Sequence, residues 1–193
     1  CDHYSEDELV HVFGEFSTHI RKGLITSPAV FKKLKSLIPA SLKVVLVDDP
    51  NNPESAATAD ITVTDYGFAN GKITAKFNNN VVELPQPGLH TAVNIAMVAG
   101  MCNMLGFEWS EIIPAISVSL FHGAGRRMEY HGLFCGARIY DDYAHNPQKL
   151  CCCLKTAQSI AEGKVIMIWQ PHGYGPLGFM RDELARELSS VLR

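Results

Sequence analysis

The sequence predicts an α/β protein built from two successive parts, and three observations predict this class. Apolar residues at helical spacing alternate with short apolar runs that are typical of buried strands, as in Lys43–Val47 and Lys164–Gln170. A glycine-rich segment at Gly123–Gly125 separates two different patterns. After it the order is strand, helix, strand, helix, which is the signature of a parallel α/β domain. We therefore expect a domain boundary near residue 123.

The composition limits the classes of function. The 193 residues are 47% hydrophobic and 19% charged, which suits an ordinary globular core. A net charge of −3 argues against a nucleic-acid surface, and no apolar run approaches the roughly 20 residues of a membrane span. Six cysteines, three of them consecutive at Cys151–Cys153, form no CxxC pair, so we expect free thiols in a reducing cytosol. The first residue is not Met and LARELSSVLR ends inside a helical pattern, so we expect a piece of a longer protein.

In the first part, capping signals and apolar spacing define the elements. Helices are expected from the capping box of Ser5 and Glu8 to Gly23, from Ser27-Pro28 to Pro39, over His90–Leu105, and from an N-cap at Ser110 to about Leu120. Pro114 is expected in the first turn of the last helix, where a missing N–H costs little. Strands are expected at Lys43–Val47 and as three short antiparallel strands between Asp60 and Leu84, with turns at Gly71 and Asn78–Asn80.

In the second part, the runs MEYHGLF and ARIYDD are expected to be strands. A helix is expected over Pro147–Ala161, a buried strand over Lys164–Gln170, and a helix from Phe179 to Arg193. The QPHGYGP run between the last two reads as a loop, because glycine and proline interrupt it.

Polar residues of the second part stand where a ligand would bind. Arg126 and Arg127 follow the glycines, and a guanidinium there could bind phosphate oxygens, although a solvated basic pair is common. Asp141 and Asp142 end a predicted strand, the end of an open α/β sheet at which ligands bind. Their carboxylates could accept from ribose hydroxyls or hold a metal ion, or they could cap the following helix.

Several histidines, with their neighbours, are further candidates. Tyr143 and His145 could stack on adenine or bond to it, yet a lone histidine is more often structural. Gln170, His172 and Tyr174 could line a substrate site, or simply belong to a Gly/Pro loop. His3, after Asp2, could contribute a metal ligand. His90 and Asn94 lie one helical turn apart, and the Asn94 amide could read adenine; a capping histidine and a surface asparagine are the alternative.

Six segments, taken in order, resemble the Mur ligase family, the ATP-dependent amide ligases of peptidoglycan precursor synthesis. They are Asp2-His3, the VDDP of Val47–Pro50, the PGLHTAVN of Pro87–Asn94, FHGAGRRMEYHG, YDDYAHNP, and the QPHGY of Gln170–Tyr174. The last run, with the arginine pair and DDYAHNP, is similar to the member that adds L-alanine to UDP-N-acetylmuramate. The resemblance implies that residues 1–122 are the second half of a central P-loop-type ATPase domain. It implies that residues 123–193 are the first part of a Rossmann-like C-terminal domain. No G-x-x-x-x-G-K-[ST] phosphate loop occurs in the sequence.

The implied chemistry has two steps. The muramyl carboxylate attacks the γ-phosphate of ATP to give an acyl phosphate, and the amine of L-alanine then attacks the activated carbonyl and releases phosphate. Positioning and charge neutralisation by Mg²⁺ and cationic side chains carry most of such catalysis. The implied partners are UDP-N-acetylmuramate and L-alanine, with no nucleic acid or membrane.

The resemblance also implies roles for individual residues. His3 would help bind Mg²⁺, His90 and Asn94 would border adenine, and Arg127 would reach the nucleotide phosphates. Asp142 would bind ribose, Tyr143 and His145 would flank the base, and His172 would lie toward the amino-acid site. The sequence departs from the family pattern at Thr91, Gly173 and Gly178. Two alternatives stay open: a sibling ligase that attaches a preformed peptide, and a non-catalytic nucleotide-binding module.

Overall fold

The computed structural model describes residues 5–52, 55–69, 72–117, 125–171 and 173–191. The described residues divide into two compact units. The first contains those up to Pro85 and from Leu89 to Ser117, and the second contains Gln86–Gly88 and those from Gly125 onward. The predicted domain boundary near residue 123 lies outside the described residues. The assignment of the two units to parts of an ATPase domain and a Rossmann-like domain stays a prediction.

The first unit mixes helices with short strands. Its elements are α1 (Glu6–Thr18), β1 (Leu24–Thr26), α2 (Pro28–Leu34), β2 (Val44–Leu46), β3 (Val63–Ala69), β4 (Lys72–Phe77), β5 (Asn80–Leu84), α3 (Leu89–Met104) and α4 (Trp109–Ser117). Strands β1 and β2 are parallel, with Leu24 opposite Val44. Strands β3, β4 and β5 form an antiparallel sheet in that order. A parallel bridge between Val47 and Ile61 follows β2 and precedes β3.

Helix α3 carries much of the core of the first unit. Its sequence is apolar around most of its circumference, as expected for a buried helix. Small residues on the helix let it approach the strands closely, and a Cβ on Gly100 would lie only 2.7 Å from the Ile61 Cδ1 atom. The buried residues of this core are Val47, Ile61, Val63, Ala75, Phe77, Val82, Leu84, Ala92, Ile95, Ala96, Ala99 and Ile112.

The second unit is built from a hairpin and two helices. Its elements are β6 (Glu129–Phe134), β7 (Ala137–Asp141), α5 (Pro147–Ile160) and α6 (Tyr174–Val191). Strands β6 and β7 are antiparallel, with a register irregularity between Tyr130 and Gly132. Leu150 on α5 packs with Met180 and Leu184 on α6, and Met167 and Trp169 cover this cluster.

The predicted buried strand at Lys164–Gln170 is wrong. The segment belongs to no strand of the structure. Its side chains alternate as in a strand, because Met167 and Trp169 pack on the helices while Ile166 and Ile168 are 85% and 96% exposed. A strand also requires ladder hydrogen bonds to a neighbour, and a local apolar run does not reveal whether that neighbour exists. Among the described residues, parallel pairing is therefore confined to the first unit, although the α/β class itself is confirmed.

Other element boundaries also differ from expectation. Strand β1 was missed because Leu24–Thr26 is too short to show alternation. Helices α1 and α2 end before the predicted Gly23 and Pro39. Helix α6 begins five residues before the predicted Phe179, since prolines are tolerated in a first turn whose N–H groups have no helical acceptor.

Helix α4 corrects the prediction about Ser110. The helix already includes Trp109, and the Glu108 N–H donates to Glu111 Oε2 at 2.9 Å, so Ser110 is not the N-cap. Pro114 consequently lies inside the helix, beyond the first turn. The capping box of Ser5 and Glu8 and the three strands between Asp60 and Leu84 are confirmed. Within the described residues, no helix is both long and apolar enough to cross a membrane.

Candidate functional site

The turn between β7 and α5 holds most of the predicted site residues. Helix α5 begins with Pro147 after the N-cap Asn146, whose side-chain oxygen accepts the Lys149 N–H at 3.0 Å. This cap ends the turn sharply and fixes the path of the chain before the helix. Tyr143 and His145 are therefore presented from a turn anchored at both ends, by a strand and by a capped helix.

A second turn, Arg126–Met128, precedes β6 and is strained. Arg126 and Met128 have positive φ angles of 54° and 45°, a region that L-residues other than Asn and Asp seldom occupy. Two carboxylates hold this backbone: Glu129 Oε2 accepts the Arg126 N–H at 2.7 Å, and Asp142 Oδ2 accepts the Met128 N–H at 2.9 Å. Residues kept in such conformations cluster at ligand sites, which makes this turn a site candidate.

The two turns are joined to each other. The Tyr143 N–H donates to the Arg126 carbonyl at 2.9 Å. The Arg126 Nε donates to Asp141 Oδ2 at 3.2 Å, and its guanidinium lies 4.9 Å from the centre of the Tyr143 ring. The ion pair is exposed, at 62% and 42% for the two side chains, so it orients the arginine more than it stabilises the fold.

Arg127 lies between the two strained residues and is exposed. Within the described part of the chain its guanidinium makes no hydrogen bond or ion pair, which leaves it available for an anion. Arg126 is instead the arginine bound to Asp141 and Tyr143. The role of Arg127 at phosphate stays a prediction.

His145 is held in one tautomer by its neighbours. Its Nδ1 lies 2.9 Å from the Tyr143 carbonyl oxygen, and its Nε2 lies 3.3 Å from Lys149 Nζ. Since the carbonyl can only accept and the ammonium can only donate, Nδ1 carries the proton and Nε2 accepts. The ring centres of Tyr143 and His145 lie 5.2 Å apart, and the planes of the two rings are inclined at 60° to each other.

Asp142 has a structural role that the sequence did not predict. Its carboxylate holds the Met128 N–H, and it is half-buried. Burial raises the pKa of the neighbouring Cys153 thiol to about 12, and the negative charge of Asp142 adds to this shift. The raised pKa makes Cys153 a poor nucleophile at neutral pH, and all five described cysteines are free, as expected.

The remaining predicted residues lie elsewhere. His90 and Asn94 stand one turn apart at the start of α3, in the first unit; His90 is half-buried and Asn94 is exposed. His3 and His172 lie outside the described residues, so the predicted Mg²⁺ and amino-acid roles stay predictions. Sequence reasoning missed Glu129 as the carboxylate that holds Arg126. Its spacing of three residues from Arg126, as in a capping box, was the available signal.

A groove of about 950 Å³ opens beside Asp142. It runs between the β6–β7 hairpin, α5 and residues 164–169, all within the second unit. Its lining includes Met128, Cys153 and Trp169, and the Trp169 Nε1 atom is buried with no hydrogen-bond partner among the described residues. The lining of the groove is more apolar than polar, and it includes Asp141, the last residue of β7, and Asp142 after it.

Comparison with known sequences places the second unit in a family. The family model described as "Mur ligase, glutamate ligase domain" matches residues 126–192. The UDP-N-acetylmuramate–L-alanine ligase of Caldicellulosiruptor bescii is 33% identical over 178 residues, 82% of this chain and 39% of that protein. The ligase of the same name from Methylocella silvestris is 37% identical over 102 residues, 53% of this chain and 21% of that protein. The chain thus spans well under half the length of these relatives.

Solved structures share the fold. UDP-N-acetylmuramate-alanine ligase MurC from Thermotoga maritima superposes with a TM-score of 0.53 at 19% identity, covering 86% of this chain and 44% of that one. Folylpolyglutamate synthase of Mycobacterium tuberculosis, solved with ADP and AMPPCP, gives a TM-score of 0.58 at 16% identity over 81% and 36% of the chains. At these identities the likeness supports the fold alone.

Proposed function

Because this chain belongs to the Mur ligase family, we propose that it forms part of an ATP-dependent ligase that joins L-alanine to UDP-N-acetylmuramate. The acyl-phosphate route uses ATP to activate the muramyl carboxylate before the amine attacks. We further propose that the ligase works in the cytosol. Mg²⁺ would neutralise charge on the ATP phosphates, with His3 as one ligand.

The observation that carries this proposal is the pair of joined turns around Arg126–Met128 and Asp142–His145. Arg127 is exposed, and its guanidinium has no hydrogen-bond or ion-pair partner among the described residues. The next residue, Met128, is bound through its N–H to the Asp142 carboxylate, and Tyr143 and His145 after it form a tilted pair of rings. Phosphate, ribose hydroxyls and a purine are the chemical groups that these side chains recognise. A nucleotide is therefore the ligand that this surface fits best, with Arg127 at phosphate, Asp142 at ribose, and Tyr143 and His145 at the base. His90 and Asn94 would border adenine, and His172 would serve the amino-acid site.

The test is kinetic and uses an intact ligase of the relatives' length that contains this chain. Arg127→Ala and Asp142→Asn are each expected to lower kcat/KM at least about tenfold, which corresponds to about 1.4 kcal/mol of transition-state stabilisation. Asn is the right replacement at Asp142 because its amide oxygen can still accept the Met128 N–H. The measurement is phosphate release that depends on both UDP-N-acetylmuramate and L-alanine.

Arg138→Ala is the matched control, because Arg138 lies on the same hairpin and its ion pair among the described residues is with the exposed Glu162, at 3.4 Å. It is expected to leave the kinetics unchanged. Wild-type kinetics in Arg127→Ala would exclude the assigned phosphate role. Phosphate release that required a preformed peptide in place of L-alanine would identify the sibling ligase instead.

A further inference from the structure

An imidazole and two carboxylates lie close together on the β6–β7 hairpin. Glu129 and Asp141 stand directly opposite each other in the strand register, and His131 follows Glu129 by two residues on β6. Directly opposed residues of paired strands share a face, and His131 is the residue without a ladder partner in the register irregularity between Tyr130 and Gly132, where a bulge changes the direction of a side chain. The ligand atoms of the three side chains lie within 4.8 Å of one another. We propose that Glu129, His131 and Asp141 form a surface site for a divalent transition-metal ion.

Each of the three side chains has an atom to offer. His131 makes no hydrogen bond within the described part of the chain, and its Nε2 lies 3.9 Å from Glu129 Oε2, too far for one. Glu129 uses Oε2 for the Arg126 N–H, and Asp141 uses Oδ2 for the Arg126 Nε. The other carboxylate oxygens, Oε1 and Oδ1, have no partner among the described residues. A metal could bind the three without breaking the bonds that hold the strained turn.

The geometry requires only side-chain movement. Two ligands bound at about 2.1 Å in a tetrahedral arrangement lie about 3.4 Å apart, so ligand atoms that are within 4.8 Å of one another need to approach by at most about 1.4 Å. The side chains of His131, Glu129 and Asp141 are 51%, 41% and 42% exposed, so solvent leaves room for this rotation. The hairpin keeps the Cα atoms of Glu129 and Asp141 fixed, because these two residues are paired in the ladder.

The donor set selects the class of metal. One imidazole and two carboxylates suit Zn²⁺, Co²⁺ or Mn²⁺, whereas an all-oxygen set would suit Mg²⁺ or Ca²⁺. The guanidinium of Arg126 opposes binding, since it lies against Asp141 and repels a dication. The metal and the guanidinium would bind different oxygens of Asp141, but as two cations they compete electrostatically for its charge, and this competition gives a test that a purely structural cluster would not satisfy. The site does not depend on the proposed ligase activity.

Co²⁺ binding to the reduced 193-residue chain tests the proposal, with affinity from equilibrium dialysis and ligation from the visible spectrum. One Co²⁺ per chain is expected, with a spectrum of nitrogen and oxygen ligands and without thiolate charge-transfer bands. His131→Ala is expected to weaken binding at least about tenfold, and Glu129→Gln similarly. Arg126→Gln is expected to strengthen binding severalfold, because it removes the competing cation.

His11→Ala is the control, since His11 is an exposed histidine on α1 in the other unit; its Co²⁺ affinity is expected to equal that of the wild type. His131→Ala tests the metal site even if Glu129→Gln disturbs the Arg126 turn, because His131 makes no hydrogen bond within the described part of the chain. Circular dichroism without metal checks that each variant folds. Equal affinity in wild type and His131→Ala would overturn the proposal, as would thiolate bands that disappear in Cys135→Ser.

Discussion

Asp141, the last residue of β7, and Asp142, the residue after it, have different structural roles. Asp141 orients the side chain of Arg126, and Asp142 holds the backbone N–H of Met128. The sequence presents them as an equivalent pair, yet only Asp142 stabilises a strained φ angle. A substitution that removes its acceptor changes the shape of the arginine turn as well as any ligand contact, which is why Asp142→Asn separates the two effects better than Asp142→Ala.

Thiol chemistry distinguishes Cys153 from Cys135. Burial raises the pKa of Cys153 to about 12, so roughly one molecule in 10⁴ carries the reactive thiolate at pH 8. Cys135 is exposed at the turn of the hairpin. Iodoacetamide at pH 8 is expected to modify Cys135 of the folded chain and to leave Cys153 unmodified, as measured by peptide mass spectrometry. Unfolding in urea is the control, where both should react; equal labelling rates in the folded chain would contradict the structure.

At the scale of elements, α3 depends on close approach to the strands. A Cβ on Gly100 would lie 2.7 Å from Ile61 Cδ1 and 3.3 Å from Ile25 Cδ1. Gly100→Ala is expected to destabilise the protein by about 1–3 kcal/mol, because Ile61 is buried and cannot move away freely. The unfavourable contact with Ile61 should outweigh the roughly 1 kcal/mol by which alanine is favoured over glycine inside a helix, so the net change is destabilising. Urea denaturation measures the change.

Gly178→Ala is the matched control in another helix. Apart from its chain neighbours and the backbone of α6 itself, no heavy atom of the described residues lies within 4 Å of a Cβ built on Gly178, and the residue is exposed. The same substitution there is expected to stabilise by about 0.5–1 kcal/mol through helix propensity alone. A stabilising Gly100→Ala would show that α3 does not pack against Ile61 as described.

The sequence predicted those elements that depend on interactions between residues close together in the chain. The capping box of α1, the start of α5 at Pro147, and the antiparallel strands β3–β5 each follow from neighbours within a few residues. The absent strand at Lys164–Gln170 depends on pairing with a distant segment, which no local pattern contains. The candidate site likewise has one part that the local sequence predicts and another that depends on the folded backbone. DDYAHNP marks the turn, but which arginine of the pair contacts it depends on the positive φ angles on either side of Arg127.

At the scale of the whole molecule, the described residues form two compact units. His90 and Asn94 belong to one unit, and Arg127, Asp142, Tyr143 and His145 belong to the other. The sequence contains no G-x-x-x-x-G-K-[ST] run, so the backbone cradle and lysine that bind β- and γ-phosphates in P-loop enzymes are not encoded in these 193 residues.

The 193-residue chain by itself is therefore expected to show no ATP turnover that depends on L-alanine and UDP-N-acetylmuramate. Phosphoryl transfer relies on cations placed around the γ-phosphate, and Arg126 is already engaged with Asp141, which leaves Arg127 as the available guanidinium of the pair. One cation cannot replace the phosphate loop, its lysine and Mg²⁺ together. Phosphate release with both substrates measures this, and an intact ligase of the relatives' length serves as the positive control. Turnover by the short chain that Arg127→Ala abolishes would show that these residues contain a complete phosphate site.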